Sequence, residues 1–146
     1  MPNKLLIANR GEIAIRIART ASDLGISTVA IYAEDDSQSL HTQHADHAVD
    51  LGATGVAAYL DVERIISVAV KEGCDSIHPG YGFLSELADF AQACEAAGLT
   101  FIGPDVETLR QFGDKAAARS LAESCGVPVL PGISEPVTLD QARQFF

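Results

Sequence analysis

The sequence predicts an α/β protein built on an open, doubly wound parallel sheet. Three observations lead to that class. Short, continuous apolar runs such as KLLIAN, STVAIYA and LTFIG alternate with segments whose apolar residues recur every three and four positions. Helical segments close on glycine or open on a polar cap, the punctuation expected where strand and helix meet. The alternation holds from Lys4 to Gly103, which favours a layered sheet over a helical bundle or an all-β sandwich.

Each element follows from its own pattern. KLLIAN, from Lys4 to Asn9, is apolar without a break between its two ends, as a strand covered on both faces must be. RGEIAIRIARTASDLG follows, with Ile13, Ile17, Ala18, Ala21 and Leu24 on one helical face and Gly25 as the stop. STVAIYA is the second strand, so the chain opens with a strand–helix–strand unit joined by a right-handed crossover. HAVDLG predicts a short third strand. LDVERIISVAVKEGC predicts a helix capped by Asp61 and stopped at Gly73. DSIHPG is the fourth strand, and SELADFAQACEAAGL a helix with Ser85 as its cap and Glu86 in its first turn. LTFIG is the fifth strand.

After Gly103-Pro104 the pattern changes. DVETLRQFGDKAAARSLAESCGVPVLPG is helical and alanine-rich, then breaks at Val127-Pro128 and Pro131-Gly132. TLDQARQFF opens a further helix with Thr138 as cap and Phe145 and Phe146 on its apolar face. The chain therefore reads as a complete first domain, residues 1–103, and a linker with the opening of a second domain, residues 104–146.

Composition limits the partners. Apolar residues make up 47% and charged residues 21%, and the formal net charge is −10. Such a balance argues against a nucleic-acid or anionic-membrane surface, but a nucleotide needs only local N–H groups and one or two cations. Cys74, Cys94 and Cys125 form no CxxC pair and read as reduced thiols of a cytoplasmic compartment. No leader-like start and no membrane-length apolar run is present, which predicts a soluble chain.

Ligands of open parallel sheets sit beyond the carboxyl ends of the strands, so the loops there carry the functional candidates. ANRGEIA places Gly11 at a strand-to-helix turn beside Arg10; this is either an anion site or a tight turn, and the single glycine favours the turn. SIHPGYGFLSE sets Gly80 and Gly82 next to Tyr81 and Phe83. Glycines permit close main-chain approach to a flat group and aromatic faces stack on one, although a compact gap-filling loop fits the composition equally well. In FGDKAAARSLAE, Asp114 caps a helix whose first residue is Lys115. A lysine set against its own helix end is either solvated or held by an external anion such as a phosphate. For His41, His44 and His47 in HTQHADH no carboxylate completes a convincing metal set, so a solvated helix and turn is expected and no metal site is assigned. Nothing supplies a nucleophile or a general base, and no catalytic residue is assigned.

Taken together, KLLIANRGEIAIRIARTASDLGI, IHPGYGFLSE, FIGP and FGDKAAARSLAESCGVPVLPG resemble the N-terminal part of biotin carboxylase, over essentially the whole chain and in order. The resemblance implies a Rossmann-like, pre-ATP-grasp first domain followed by the helical start of an ATP-grasp domain. It implies an ATP-dependent ligase that uses MgATP and bicarbonate to carboxylate biotin on a carrier protein, within acyl-CoA, pyruvate or urea carboxylases. It assigns Lys115 as an ATP ligand, and Tyr81, Gly82 and Phe83 as walls of the biotin site. Arg16, Arg19 and Asp23, on one helix face, fall at the family's homodimer contact.

The implied partners are the rest of the biotin carboxylase domain, a biotin carboxyl carrier and a carboxyltransferase module. Where the family usually carries Asn after FLSE, this chain has Leu87. The family's phosphate loop, metal-binding carboxylates and base lie beyond Phe146, so the 146-residue chain by itself is expected to be inactive and to hold neither ATP, Mg2+ nor biotin tightly. The competing readings are a stand-alone nucleotide- or anion-binding module and the first domain of another ATP-grasp ligase, such as one of purine biosynthesis.

Overall fold

The first apolar run becomes β1 (Lys4–Ile7), the central strand of a five-stranded sheet. The structure, a computed structural model, describes residues 2–130, 138–140 and 143. The other strands are β2 (Ser27–Tyr32), β3 (His47–Asp50), β4 (Ser76–His78) and β5 (Thr100–Phe101). All pairings are parallel and the order is β3-β2-β1-β4-β5. Leu5 stands opposite Thr28 on one side and Ser76 on the other.

Alternation along β1 sends side chains to two cores. Leu5 and Ile7 pack with Ala14, Ile17, Ala18 and Ala21 of α1 (Gly11–Asp23). Leu6 joins Val29, Ile31 and Ile77 in the larger core, against α4 (Val62–Lys71) and α5 (Ala88–Ala96). Each large apolar side chain fully withdrawn from water contributes roughly 1.5–3 kcal/mol, so a strand apolar on both faces anchors both layers. Two single-turn helices, α2 (His41–His44) and α3 (Gly55–Ala58), fill the connections around β3, and a 3-10 turn at Glu34–Asp36 follows β2.

Expected caps and stops are in place at several ends. The Asp61 carboxylate accepts from the Arg64 N–H at 2.9 Å, and Asp114 accepts from Ala116 and Ala117 at 2.8 and 2.9 Å. Gly25 and Gly73 end their helices with φ of +71° and +68°. The start of α5 differs from expectation. Ser85 is not its cap: the Ser85 N–H donates to the Gly82 carbonyl at 2.9 Å, and the Leu87 N–H to the Leu84 carbonyl at 3.1 Å. Leu84 is buried, and drawing it into the core requires these turns, which delay the helix to Ala88. Glu86 therefore precedes the first turn, and the cap position falls to Leu87, which has no side-chain acceptor.

Beyond the sheet, α6 (Val106–Gly113) buries Leu109, and its Arg110 donates to Gln92 of α5 at 2.6 Å. In α7 (Lys115–Ser124) no residue is buried. Thr138 precedes helical Leu139 and Asp140, whereas Phe145 and Phe146 lie outside the described residues. Among the described residues, no helix is long and apolar enough to cross a membrane.

Candidate functional site

Chain direction across the sheet reverses between β1 and β4: β2 and β3 extend to one side, β5 to the other. The loops leaving these two neighbouring strands diverge and open a crevice between them, at the switch point where such sheets bind ligands. The β1 loop supplies Asn9 and Arg10, the first turn of α1 Ile13, and the β4 loop Tyr81, Gly82 and Phe83, and together they line a cavity of about 240 Å3.

Asn9 joins the two loops. It is buried, and its side-chain amide donates to the carbonyls of Pro79 at 2.7 Å and Tyr81 at 2.9 Å, while its oxygen accepts from the Arg10 N–H at 2.9 Å. The close approach falls at Gly80 (φ +67°), where a Cβ would stand 2.8 Å from the Asn9 amide nitrogen. Gly82, also left-handed at φ +64°, has open space where its Cβ would be. At the end of β4, His78 Nδ1 accepts from the Gly80 N–H at 3.0 Å, and burial lowers the pKa of this imidazole.

The two aromatics of the loop have different environments. Tyr81 is exposed, and its hydroxyl donates to Glu12 of α1 at 2.6 Å, which pushes the phenol pKa up. Phe83 stacks on Tyr59, with centroids 5.4 Å apart and planes at 6°. The Arg10 guanidinium lies 5.4 Å from the Tyr59 centroid and 5.9 Å from that of Phe83. One ring of the pair expected to face a ligand is thus already stacked within the protein.

Behind that stack sits Asp36. Its Oδ2 accepts from Arg10 at 2.8 Å and from the Tyr59 hydroxyl at 2.8 Å, and its Oδ1 accepts from Ser39 at 3.0 Å. Tyr59 oxygen in turn accepts from the Ala33 N–H at 3.1 Å. Burial pushes the Asp36 carboxyl up, but the hydrogen bonds from Arg10, Tyr59 and Ser39 outweigh it and hold the group below the usual carboxylate range. Burial likewise pushes the Tyr59 phenol up. Because Arg10 is committed to Asp36, the turn at Gly11 (φ +65°) reads as a tight turn with a paired cation.

The remaining candidates fall elsewhere. Lys115 is the exposed first residue of α7 and has no ion-pair partner among the described residues. The GDK stretch nonetheless begins against the β4 loop, since a Cβ on Gly113 would lie 3.8 Å from the Glu86 carbonyl. Arg16, Arg19 and Asp23 are exposed on α1, opposite its buried stripe and with no ion pair among the described residues. Beside them an apolar groove of about 380 Å3 runs between α1 and Ile102. His41 departs from the expected solvated helix. It is buried, with Nε2–H donating to the Ile31 carbonyl at 3.2 Å, and burial lowers its pKa. His44 and His47 are exposed, and no metal-sized group of His, Cys, Asp and Glu occurs among the described residues. Cys74 and Cys94 are buried free thiols pushed up to about 11 and about 12, while Cys125 is exposed.

Sequence reasoning did not single out Asn9, Asp36 or Tyr59. Asn9 alone left a trace, as the polar residue ending an otherwise apolar run.

An open parallel sheet with a crevice between the loops of its two diverging central strands defines a Rossmann-like α/β domain. Comparison with known proteins narrows this. The chain belongs to the biotin carboxylase N-terminal domain family, which it matches over residues 1–109. It is 56% identical over 133 residues to a biotin carboxylase of Halalkalibacterium halodurans, covering 90% of this chain and 29% of that protein. It is 53% identical over 145 residues to mitochondrial pyruvate carboxylase of Homo sapiens, covering 97% of this chain and 12% of that protein. The biotin carboxylase domain of Hydrogenobacter thermophilus 2-oxoglutarate carboxylase, solved with MgADP and bicarbonate, superposes with a TM-score of 0.95 at 43% identity, over 99% of this chain and 32% of that one. The chain thus spans less than a third of the biotin carboxylase and about an eighth of the pyruvate carboxylase that it matches.

Proposed function

We propose that this chain forms the first domain, residues 1–103, and the start of the second, residues 104–146, of an ATP-dependent biotin carboxylase. In that enzyme MgATP and bicarbonate supply the activated carboxyl group, and biotin on a carrier protein receives it. The remainder of the biotin carboxylase domain, a carboxyl carrier and a carboxyltransferase module are its partners, in a cytoplasm-like reducing compartment. Free cysteines support that compartment. The role of this chain is architectural and ligand-facing: Tyr81, Gly82 and Phe83 wall the biotin site, Lys115 binds ATP, and Arg16, Arg19 and Asp23 meet a second copy.

The residues present fit such ligands. A flat ureido bicycle needs an approach without side-chain obstruction, and Gly82 has open space at the position of its Cβ on the wall of the crevice. A phosphate needs an unneutralised cation, and the Lys115 ammonium lacks a partner among the described residues. When bound, the nucleotide and metal supply the phosphoryl chemistry; the residues described here bind, orient and exclude water.

The observation that carries this reading is the open, left-handed Gly82 at the switch-point crevice of a chain in this family. Gly82→Ala in the full-length enzyme tests it. The added methyl meets no protein atom, but in the proposed complex it stands where biotin approaches. A methyl clash of this kind costs about 1–3 kcal/mol, so biotin carboxylation should fall roughly tenfold to a hundredfold. Any loss of global stability from the left-handed strain at Gly82 lowers every activity alike. The ratio of biotin carboxylation to slow, biotin-independent ATP hydrolysis removes it. A ratio equal to that of the unmodified enzyme would refute the biotin-wall assignment.

A further inference from the structure

We propose that Asp36 is a positioning residue for biotin: through Arg10 and Tyr59 it holds Phe83 in place and thereby fixes the Tyr81–Phe83 backbone that faces the ligand. This rests on the assignment of that loop to the biotin site.

The backbone of Phe83 calls for an explanation. At φ 44° it is the one non-glycine residue with positive φ among the described residues. A bulky aromatic side chain is unfavourable in that region and persists only where its surroundings over-determine it. Two groups do so. The Tyr59 ring lies parallel to Phe83, and the Arg10 guanidinium lies close to both rings.

Neither group is self-supporting. The Tyr59 hydroxyl and the Arg10 guanidinium both donate to Asp36 Oδ2, each at 2.8 Å. Ser39 holds the other carboxylate oxygen at 3.0 Å, which fixes the rotamer of Asp36. A single carboxylate on the turn after β2 therefore orients both faces that immobilise Phe83, although Asp36 does not itself line the crevice. The opposite end of the loop has an independent tether, since Asn9 holds the carbonyls of Pro79 and Tyr81. Loss of the Asp36 charge would free the Phe83 end alone. The main chain would then drift where it meets ligand, and misplacement by about 1 Å can cost on the order of a hundredfold.

The test is made in the full-length enzyme, with free biotin as the acceptor. Asp36→Asn should raise the KM for biotin about tenfold, while the KM for ATP and biotin-independent ATP hydrolysis stay within about twofold. Tyr59→Phe keeps the stacked ring and loses only the hydroxyl, so its effect should be smaller, and the double variant should fall short of the product of the two. An unchanged biotin KM in Asp36→Asn would overturn the proposal. So would a fall of both activities in parallel with Tm, which marks a purely structural group. If Asp36→Asn does not fold, Arg10→Lys retains the cation and removes the flat guanidinium; it should show the same selective loss. A parallel loss there, or failure of both to fold, overturns the proposal. Gly82→Ala separates the two claims. If it leaves the activity ratio unchanged, the biotin-wall reading fails; if it is selective while Asp36→Asn is not, only the positioning role fails.

Discussion

The Tyr81–Phe83 loop and Lys115, the two features assigned to ligands, are held in opposite ways. The loop is tied at both ends: Asn9 holds the carbonyl of Tyr81, Glu12 its hydroxyl, and the Tyr59–Arg10 pair the ring of Phe83. Lys115 has no side-chain tether among the described residues, on a helix with no buried residue. Its cation also opposes the positive end of α7, offset by the Asp114 carboxylate that caps the same turn. The difference matches the chemistry proposed for each. A neutral bicycle is recognised by shape, which requires a rigid wall. A phosphate is recognised by charge, and a long flexible side chain can reach it.

The largest expected effect breaks the rigid side. Gly80→Ala forces a Cβ to within 2.8 Å of the Asn9 amide in a left-handed residue. Left-handed strain costs about 1–2 kcal/mol, and displacing Asn9 leaves the buried Pro79 carbonyl unpaired at about 1–3 kcal/mol more. A loss of roughly 3 kcal/mol should lower Tm by about 10 °C. Gly82→Ala meets no atom and carries the left-handed strain alone, so it should cost about 1–2 kcal/mol. Equal melting temperatures for the two variants would show that the Asn9 clamp is not what requires Gly80.

The flexible side should respond in the reverse sense. Lys115→Ala removes no packing, so Tm should not move. A charge-assisted hydrogen bond contributes about 1.5–3 kcal/mol. Its loss in the full-length enzyme should raise the KM for ATP roughly tenfold to a hundredfold. Steady-state ATP titration of the variant checks this, and an unchanged KM would return Lys115 to a solvated lysine.

Much of the scaffold was legible in the sequence because its signals are local. β1 is apolar on both faces, and Asp61 and Asp114 cap the helices that immediately follow them. The start of α5 was not legible. Ser85 has the right chemistry for a cap, but burial of Leu84 decides where the chain turns, and burial is a tertiary property. The loop was recognisable as a candidate from its glycines and rings, yet its supports were not. Asn9 bonds to a residue 72 positions away, and Asp36 to residues 26 and 23 positions away. Nothing in the surrounding sequence marks an aspartate in EDDSQS as the one beneath an aromatic stack.

The smallest effect sharpens the comparison by pH, through two histidines whose pKa burial lowers, His41 and His78. A lowered folded-state pKa means the unfolded chain binds the proton more readily. The stabilisation is complete above the unfolded value near 6.5 and is lost as pH falls below it. The slope cannot exceed about 1.4 kcal/mol per pH unit for each group. The two differ in what protonation breaks. At His78, a proton on Nδ1 would remove the acceptor for the Gly80 N–H and disturb the loop directly. At His41, Nε2 already serves the Ile31 carbonyl, and the buried Nδ1 has no partner, so a proton there is unfavourable through burial alone. His78→Asn offers an amide oxygen in place of Nδ1 and does not titrate, so it should flatten the Tm profile between pH 6.5 and 5 without a large loss at pH 8. In the full-length enzyme the same variant should lessen any rise in biotin KM over that range. His41→Asn should flatten the Tm profile and leave the biotin KM profile as it was. If instead His41→Asn alters the biotin profile and His78→Asn does not, the loop is not governed by the hydrogen bond from Gly80, and rigidity has been assigned to the wrong support.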